Sequence, residues 1–114
     1  MFEKNLEVAG LLDCYAGILS ERHRNLLDLY YNQDFSLGEI SAEVGISRQG
    51  VRDSIKKAEE ELFFFENGLH LFERGESVSR AAASLLQAAG NNAALRDAVL
   101  TLLDAVGVAA TEEE

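Results

Sequence analysis

Proline is absent from all 114 residues, and so is tryptophan. Without proline nothing in the chain forbids a helix outright, and glycine and small polar caps are left to end and begin each one. Alternating β-branched runs are also scarce, so the pattern predicts an all-α fold. Cysteine occurs once, as Cys14, which excludes an intrachain disulfide; with only two histidines there is no ligand spacing of the zinc-finger type. Cys14 is expected as a buried structural thiol on an apolar helical stripe. Basic residues are few: ten Lys and Arg face twenty Asp and Glu, a formal net charge of −10. That sign excludes a protein that coats nucleic acid by bulk charge. No apolar run approaches membrane-spanning length and no signal-peptide pattern opens the chain, so a soluble, cytoplasmic protein is expected. A glycine-rich phosphate loop and a nucleophile elbow are both missing, and His23 and His70 read as surface or half-buried helix residues. The expectation is no enzyme, no cofactor and no metal.

What is present is concentrated in residues 20–58. Ser36-Leu37-Gly38-Glu39 has the S-x-x-E form of a capping box, in which the hydroxyl accepts from a backbone N–H and the carboxylate reaches back. A short helix over residues 37–44 follows, with Leu37, Ile40 and Val44 at helical spacing. Gly45 permits the left-handed turn that joins two helices steeply, and Ser47 is placed to cap the next. That helix opens with Arg48, Gln49 and Arg52 outward and Val51 and Ile55 inward, the layout of a recognition helix that reads bases from its first turns. Residues 47–58 hold Arg48, Arg52, Lys56 and Lys57 against one acid, Asp53, whereas acids crowd in Glu59-Glu60-Glu61 and Glu112-Glu113-Glu114. The first of these runs reads as a solvated face. Tyr30 and Tyr31 suit core packing by default, with base stacking as the alternative.

Around this unit the pattern predicts helix one over residues 4–16, burying Val8, Leu11, Leu12 and Tyr15, with Gly17 at its end. Ser20 caps helix two, whose buried stripe is Leu26, Leu27 and Tyr30; residues 31–34 read as a loop, closed by Phe35 as a hydrophobic staple. Helix four carries Val51, Ile55, Ala58, Leu62, Phe65, Leu69 and Phe72 at 4-3-4-3-4-3 spacing, a heptad seam of about three repeats. The seam outruns the helix-turn-helix core. It either folds back on helix one and the tail or pairs with a second chain, and Asn67-Gly68 marks a break point. The tail is alanine-rich up to Gly90-Asn91-Asn92; Asn92 caps a last helix with Leu95, Val99, Leu102 and Val106 on one stripe, and Gly107 frays it. A helical hairpin packed on the arm is predicted, then a disordered acidic end at 111–114.

The run YYNQDFSLGEISAEVGISRQGVRDSIKKAEEEL, residues 30–62, resembles the YlxM-type helix-turn-helix family of Gram-positive bacteria and mycoplasmas and, more distantly, the helix-turn-helix of sigma-factor region four. The tyrosine pair Tyr30-Tyr31, Ser36–Ser41 and Ser47–Lys57 carry the likeness, and Leu69 to Arg74 is similar to the family's end of its long helix. The resemblance spans residues 6–74 and leaves out the tail. Gly50 stands where the family has alanine, and Arg52 where it has an aromatic residue. The resemblance implies an all-helical, dimeric, non-enzymatic protein tied to the signal recognition particle pathway, touching that particle's RNA or protein, or DNA. The expected organisation is a helix-turn-helix domain with a long arm over 1–74, C-terminal helices over 75–110 and a tail over 111–114. Expected nucleic-acid-binding residues are Arg48, Gln49, Arg52, Lys56 and Lys57, and expected homodimer-interface residues are Leu62, Phe65, Leu69 and Phe72. A protein-interaction module and a DNA-binding transcription regulator stay open as alternatives.

Overall fold

Small polar side chains decide where the helices begin. In the computed structural model, which describes residues 5–108, Asn5, Ser20, Ser36, Ser47 and Asn92 each accept a hydrogen bond from a backbone N–H two or three residues on. These five caps satisfy donors that have no partner inside the helix. The described residues form six α-helices and no strand: α1 Leu6–Tyr15, α2 Glu21–Leu27, α3 Leu37–Val44, α4 Arg48–Leu69, α5 Leu71–Ala89 and α6 Ala93–Val106. A 3₁₀ turn, Ala16–Ile18, follows α1, and a π turn, Asp28–Asn32, extends α2. The chain divides into two units, one closing at His70 and the other opening at Leu71.

The first unit is organised on α4, which packs against α1, α2 and α3. Val51, Ile55, Ala58 and Leu62 are fully buried along it, meeting Val8, Leu11, Leu12 and Tyr15 of α1, Leu26 and Leu27 of α2, and Ile40 of α3. Burial of each large aliphatic side chain stabilises by about 1.5–3 kcal/mol, so this seam is the main source of cohesion. The apolar stripes read from the sequence for α1 and α2, Tyr30 included, are all in this core. α3 has the expected bounds, with Gly45 at φ +76° ending it.

Several expectations fail for identifiable reasons. Cys14 is exposed. At 100° per residue it lies about 100° round α1 from the centre of the buried stripe, too far to share it. Partial desolvation and the Glu66 carboxylate hold its thiol above the usual range. Tyr31 and Asn32 are not loop but the end of the π turn. Gln33 N–H donates to the Asp28 carbonyl at 3.0 Å and Phe35 N–H to that of Leu29 at 2.9 Å. The Asp28 carboxylate accepts from the Asn32 and Gln33 side-chain amides at 2.8 and 2.7 Å, which steadies the widened turn and lowers the Asp28 pKa. Glu59-Glu60-Glu61 is not a wholly solvated face: Glu59 accepts from the Tyr31 hydroxyl and Glu61 pairs with His23 Nδ1. The heptad seam does not run on one helix to Phe72. α4 ends at Leu69, where His70 adopts φ +56°, and Phe72 belongs to α5. The expected start of helix one at Lys4 and the acidic end at 111–114 lie outside the described residues.

The second unit is the hairpin of α5 and α6. Gly90, at φ +56°, turns the chain, and Arg96 Nη1 donates to the carbonyls of Leu86 (3.0 Å) and Gly90 (3.2 Å), satisfying acceptors at the end of α5. Among its described residues, Ala82, Leu86 and Leu103 are the buried apolar ones. On the stripe read for α6, Leu95, Leu102 and Val106 are each more than half exposed, and Val99 is half-buried. The helix turns Leu103, not this stripe, toward α5, because Leu103 sits about 100° from Leu102.

Candidate nucleic-acid interface

The sequence S-x-x-E folds locally as a closed capping box. Ser36 Oγ accepts from Glu39 N–H at 3.0 Å, and Glu39 Oε1 accepts from Ser36 N–H at 2.9 Å. The bond from the Ser36 backbone N–H favours the charged carboxylate and lowers the Glu39 pKa. At the other end of α3, Ser41 Oγ donates to the Ile46 carbonyl across the Gly45 turn. Ser47 Oγ then accepts from Gly50 N–H at 3.0 Å and starts α4. Both helices of the motif are thus fixed at the ends that meet, which sets the direction of α4 relative to α3.

On α4 the helical spacing gathers Arg48, Gln49, Arg52 and Lys56 within about 100° of one another, while Lys57 lies about 100° beyond Lys56. Arg48, Gln49, Lys56 and Lys57 are exposed and Arg52 is half-buried. Some of these side chains have local engagements. The Arg48 guanidinium lies over Gly38: a Cβ there would come within 2.9 Å of Nη2. Gln49 Nε2 donates to Asp53 Oδ1 at 2.9 Å. The patch spans nine residues, about 13 Å of helix. It is bounded by Glu59, whose pKa is raised by burial and whose charge Lys56 partly compensates. Tyr31, the donor to Glu59, is itself pushed above its ordinary range by burial and by that carboxylate.

The four residues expected at a dimer interface are dispersed. Leu62 is fully covered inside its own unit. Phe65 is half-buried with its ring 5.9 Å from that of Tyr15. Leu69 is exposed at the end of α4, and half-buried Phe72 lies on α5.

Two features escaped the sequence reading. Gly38 reads as part of a capping box, and nothing in the pattern signals that it makes room for an arginine ten positions on. A cleft of about 910 Å³ beside the motif is lined by Ala16, Arg22, Arg24, Leu26, Val44 and Ile46, among others. These come from three separate stretches of chain, so no spacing rule links them. Arg24 in this cleft is tied by Nη1 to the Ala16 carbonyl at 3.2 Å.

A capped α3, a left-handed glycine turn and a capped α4 with polar first turns define an all-helical helix-turn-helix protein. Residues 2–100 match the family described as "Putative helix-turn-helix protein, YlxM / p13 like". The chain belongs to this family, UPF0122, and the match extends well into the alanine-rich tail that the sequence resemblance had left out. It is similar to a UPF0122 protein of Lacticaseibacillus casei, 36% identical over 91% of this chain and 92% of the relative. A UPF0122 protein of Halalkalibacterium halodurans is 38% identical over 93% of this chain and 96% of the relative. One from Clostridium kluyveri is 43% identical over 67% of this chain and 68% of its own length. Among the described residues no helix is long and apolar enough to cross a membrane.

Proposed function

We propose that this chain is a cytoplasmic, non-enzymatic regulator that binds nucleic acid through the first turns of α4 and acts as a homodimer. Arg48, Arg52, Lys56 and Lys57 contact phosphates, and Gln49 reaches a base edge once it lets go of Asp53. The observation that carries this reading is the grouping of Arg48, Gln49, Arg52 and Lys56 on one side of a capped second helix. The family resemblance supports a place in the signal recognition particle pathway, with the particle's RNA as the first ligand to test and duplex DNA as the comparison.

Titration against particle RNA, a matched RNA hairpin and duplex DNA at several salt concentrations tests it. The variant with Arg48, Arg52 and Lys56 all changed to Ala binds more weakly at unchanged helix content. On duplex DNA its salt slope falls by about 0.9 per lost phosphate contact. An unchanged titration refutes the assignment. A second reading, a protein-interaction module that kept the helix-turn-helix shape, is favoured by the net charge of −10 and by the open apolar face of the hairpin.

A further inference from the structure

The α5–α6 hairpin is amphipathic as a whole. Val78 and Leu85 on α5 and Leu95, Val99, Leu102 and Val106 on α6 fall, by their helical spacing in two antiparallel helices, on one side of the hairpin. Leu85, Leu95, Leu102 and Val106 are 52–57% exposed. On α6 these residues follow the 4-3-4 spacing that knobs-into-holes packing requires. Ala81 and Ala88, and again Ala98 and Ala105, recur seven apart along the flanks of the same side, small enough to let a second pair of helices approach to about 8–10 Å. The carboxylates Glu73, Glu76, Asp97 and Asp104 all project elsewhere; Arg74, near one end, is the charge on this side.

We infer that this face is a self-association surface whose occupant is the same face of a second copy, the two hairpins forming a four-helix bundle. Three observations select that occupant. The helices are 19 and 14 residues long. At 1.5 Å per residue and about 10 Å per helix the face measures roughly 500 Å² in projection, hence more in accessible area, of the order of the ~800 Å² each partner contributes to a standard stable interface. It carries no carboxylate, so two chains of net charge −10 meet where their repulsion is least. It also lacks the basic polar flank that holds an amphipathic helix on an anionic lipid surface: the opposite side of this hairpin is mainly acidic. An isologous, two-fold contact follows from pairing one face with itself. The inference deepens the homodimer reading above by naming its surface, and it moves that surface off the α4 seam. Two helix-turn-helix units would then be tethered on one particle, raising the effective concentration of the second site on a long nucleic acid.

Sedimentation equilibrium of the full chain, with no nucleic acid present, tests the surface separately from the binding reading. Over about 1–100 µM, a range that spans ordinary micromolar association, the wild type should sediment as two chains. Leu85→Glu with Leu102→Glu should sediment as one. Phe64→Glu, on the 75% exposed Phe64 of the first unit, should remain two. Should the double glutamate lose helix by circular dichroism, Leu85→Ala with Leu102→Ala decides: it should weaken dimerisation at least about a hundredfold at unchanged helix content. A wild type of one-chain mass throughout overturns the inference, whether the face is covered by the protein's own first unit, by lipid or by another protein. So does a dimer that survives both hairpin variants or is lost only with Phe64→Glu.

Discussion

Adding one methyl group at Gly38 puts the geometry of the motif to a quantitative test. Gly38 is the second residue of α3, and its φ is not in the left-handed region, so alanine fits its backbone. Replacing glycine by alanine within a helix stabilises by about 0.8–1 kcal/mol, and somewhat less in the first turn. Against this, the new Cβ would lie 2.9 Å from Arg48 Nη2, 3.1 Å from Nε and 3.2 Å from Cζ. Those atoms are the far end of a long side chain on an exposed residue, so the guanidinium swings away and only its packing on α3 is lost. The net expectation for Gly38→Ala is a gain of about 0.5 kcal/mol, the helix propensity outweighing a surface contact. In urea melts this moves the midpoint up by a few tenths of a molar, with an m-value of about 1–2 kcal/mol/M. Repeating the substitution in an Arg48→Ala background should give the larger, unopposed gain, and the difference between the two isolates the Arg48–Gly38 contact. A loss of more than about 0.5 kcal/mol from Gly38→Ala alone would refute the reasoning, because a merely surface contact of this kind cannot outweigh the propensity term. It would mean that Arg48 is a structural clamp between α3 and α4.

Two further perturbations follow from the same unit. Ser36→Ala removes the acceptor for Glu39 N–H and should cost about 0.5–2 kcal/mol in chemical denaturation; a melt identical to wild type would show that the box does not hold the start of α3. Glu59→Gln should stabilise at pH 7. Burial raises the Glu59 pKa above its ordinary 4.5, so the folded state binds the proton more tightly than the unfolded one. Stability therefore falls as pH rises from about 4.5 through the folded pKa. The neutral amide escapes that loss while keeping an acceptor for the Tyr31 hydroxyl, so the gain should vanish in melts below about pH 4. A variant destabilised at pH 7 would indicate that the tyrosine–carboxylate bond outweighs desolvation.

What the sequence made legible was set by short-range rules. The caps at Ser20, Ser36, Ser47 and Asn92, the turn at Gly45 and the stripes of α1 and α2 each depend on residues within one or two turns, and all are found in place. Reading failed where the outcome depends on distant partners or on a rare backbone state. The π turn needs the Asp28 carboxylate to gather Asn32 and Gln33, which no apolar period records. A 4-3 seam running past Leu69 is the same whether the helix continues or, as here, breaks at a histidine in the left-handed region. On α6, Leu102 and Leu103 compete for burial, and only the arrangement of the hairpin shows that Leu103 wins. The cationic side chains were identifiable from composition, but their engagements with Gly38 and Asp53 were not.

On the function proposed above, an acidic chain with a short basic face would bind selectively and weakly. At about 0.15 M salt the screening length is about 8 Å, shorter than the patch itself, so a phosphate held against Arg52 and Lys56 is little affected by carboxylates on the far side of the unit. Outside residues 47–58 acids outnumber bases, so nucleic acid would gain less on the other surfaces. One such face would make only a few phosphate contacts and therefore give a small salt slope, below that of proteins that bind by charge over a long footprint. The proposed pairing through a face without carboxylates would add a second small patch without adding contacts to either. Affinity would then depend on whether one nucleic acid reaches both patches, which would make the length and shape of the ligand the quantity discriminated.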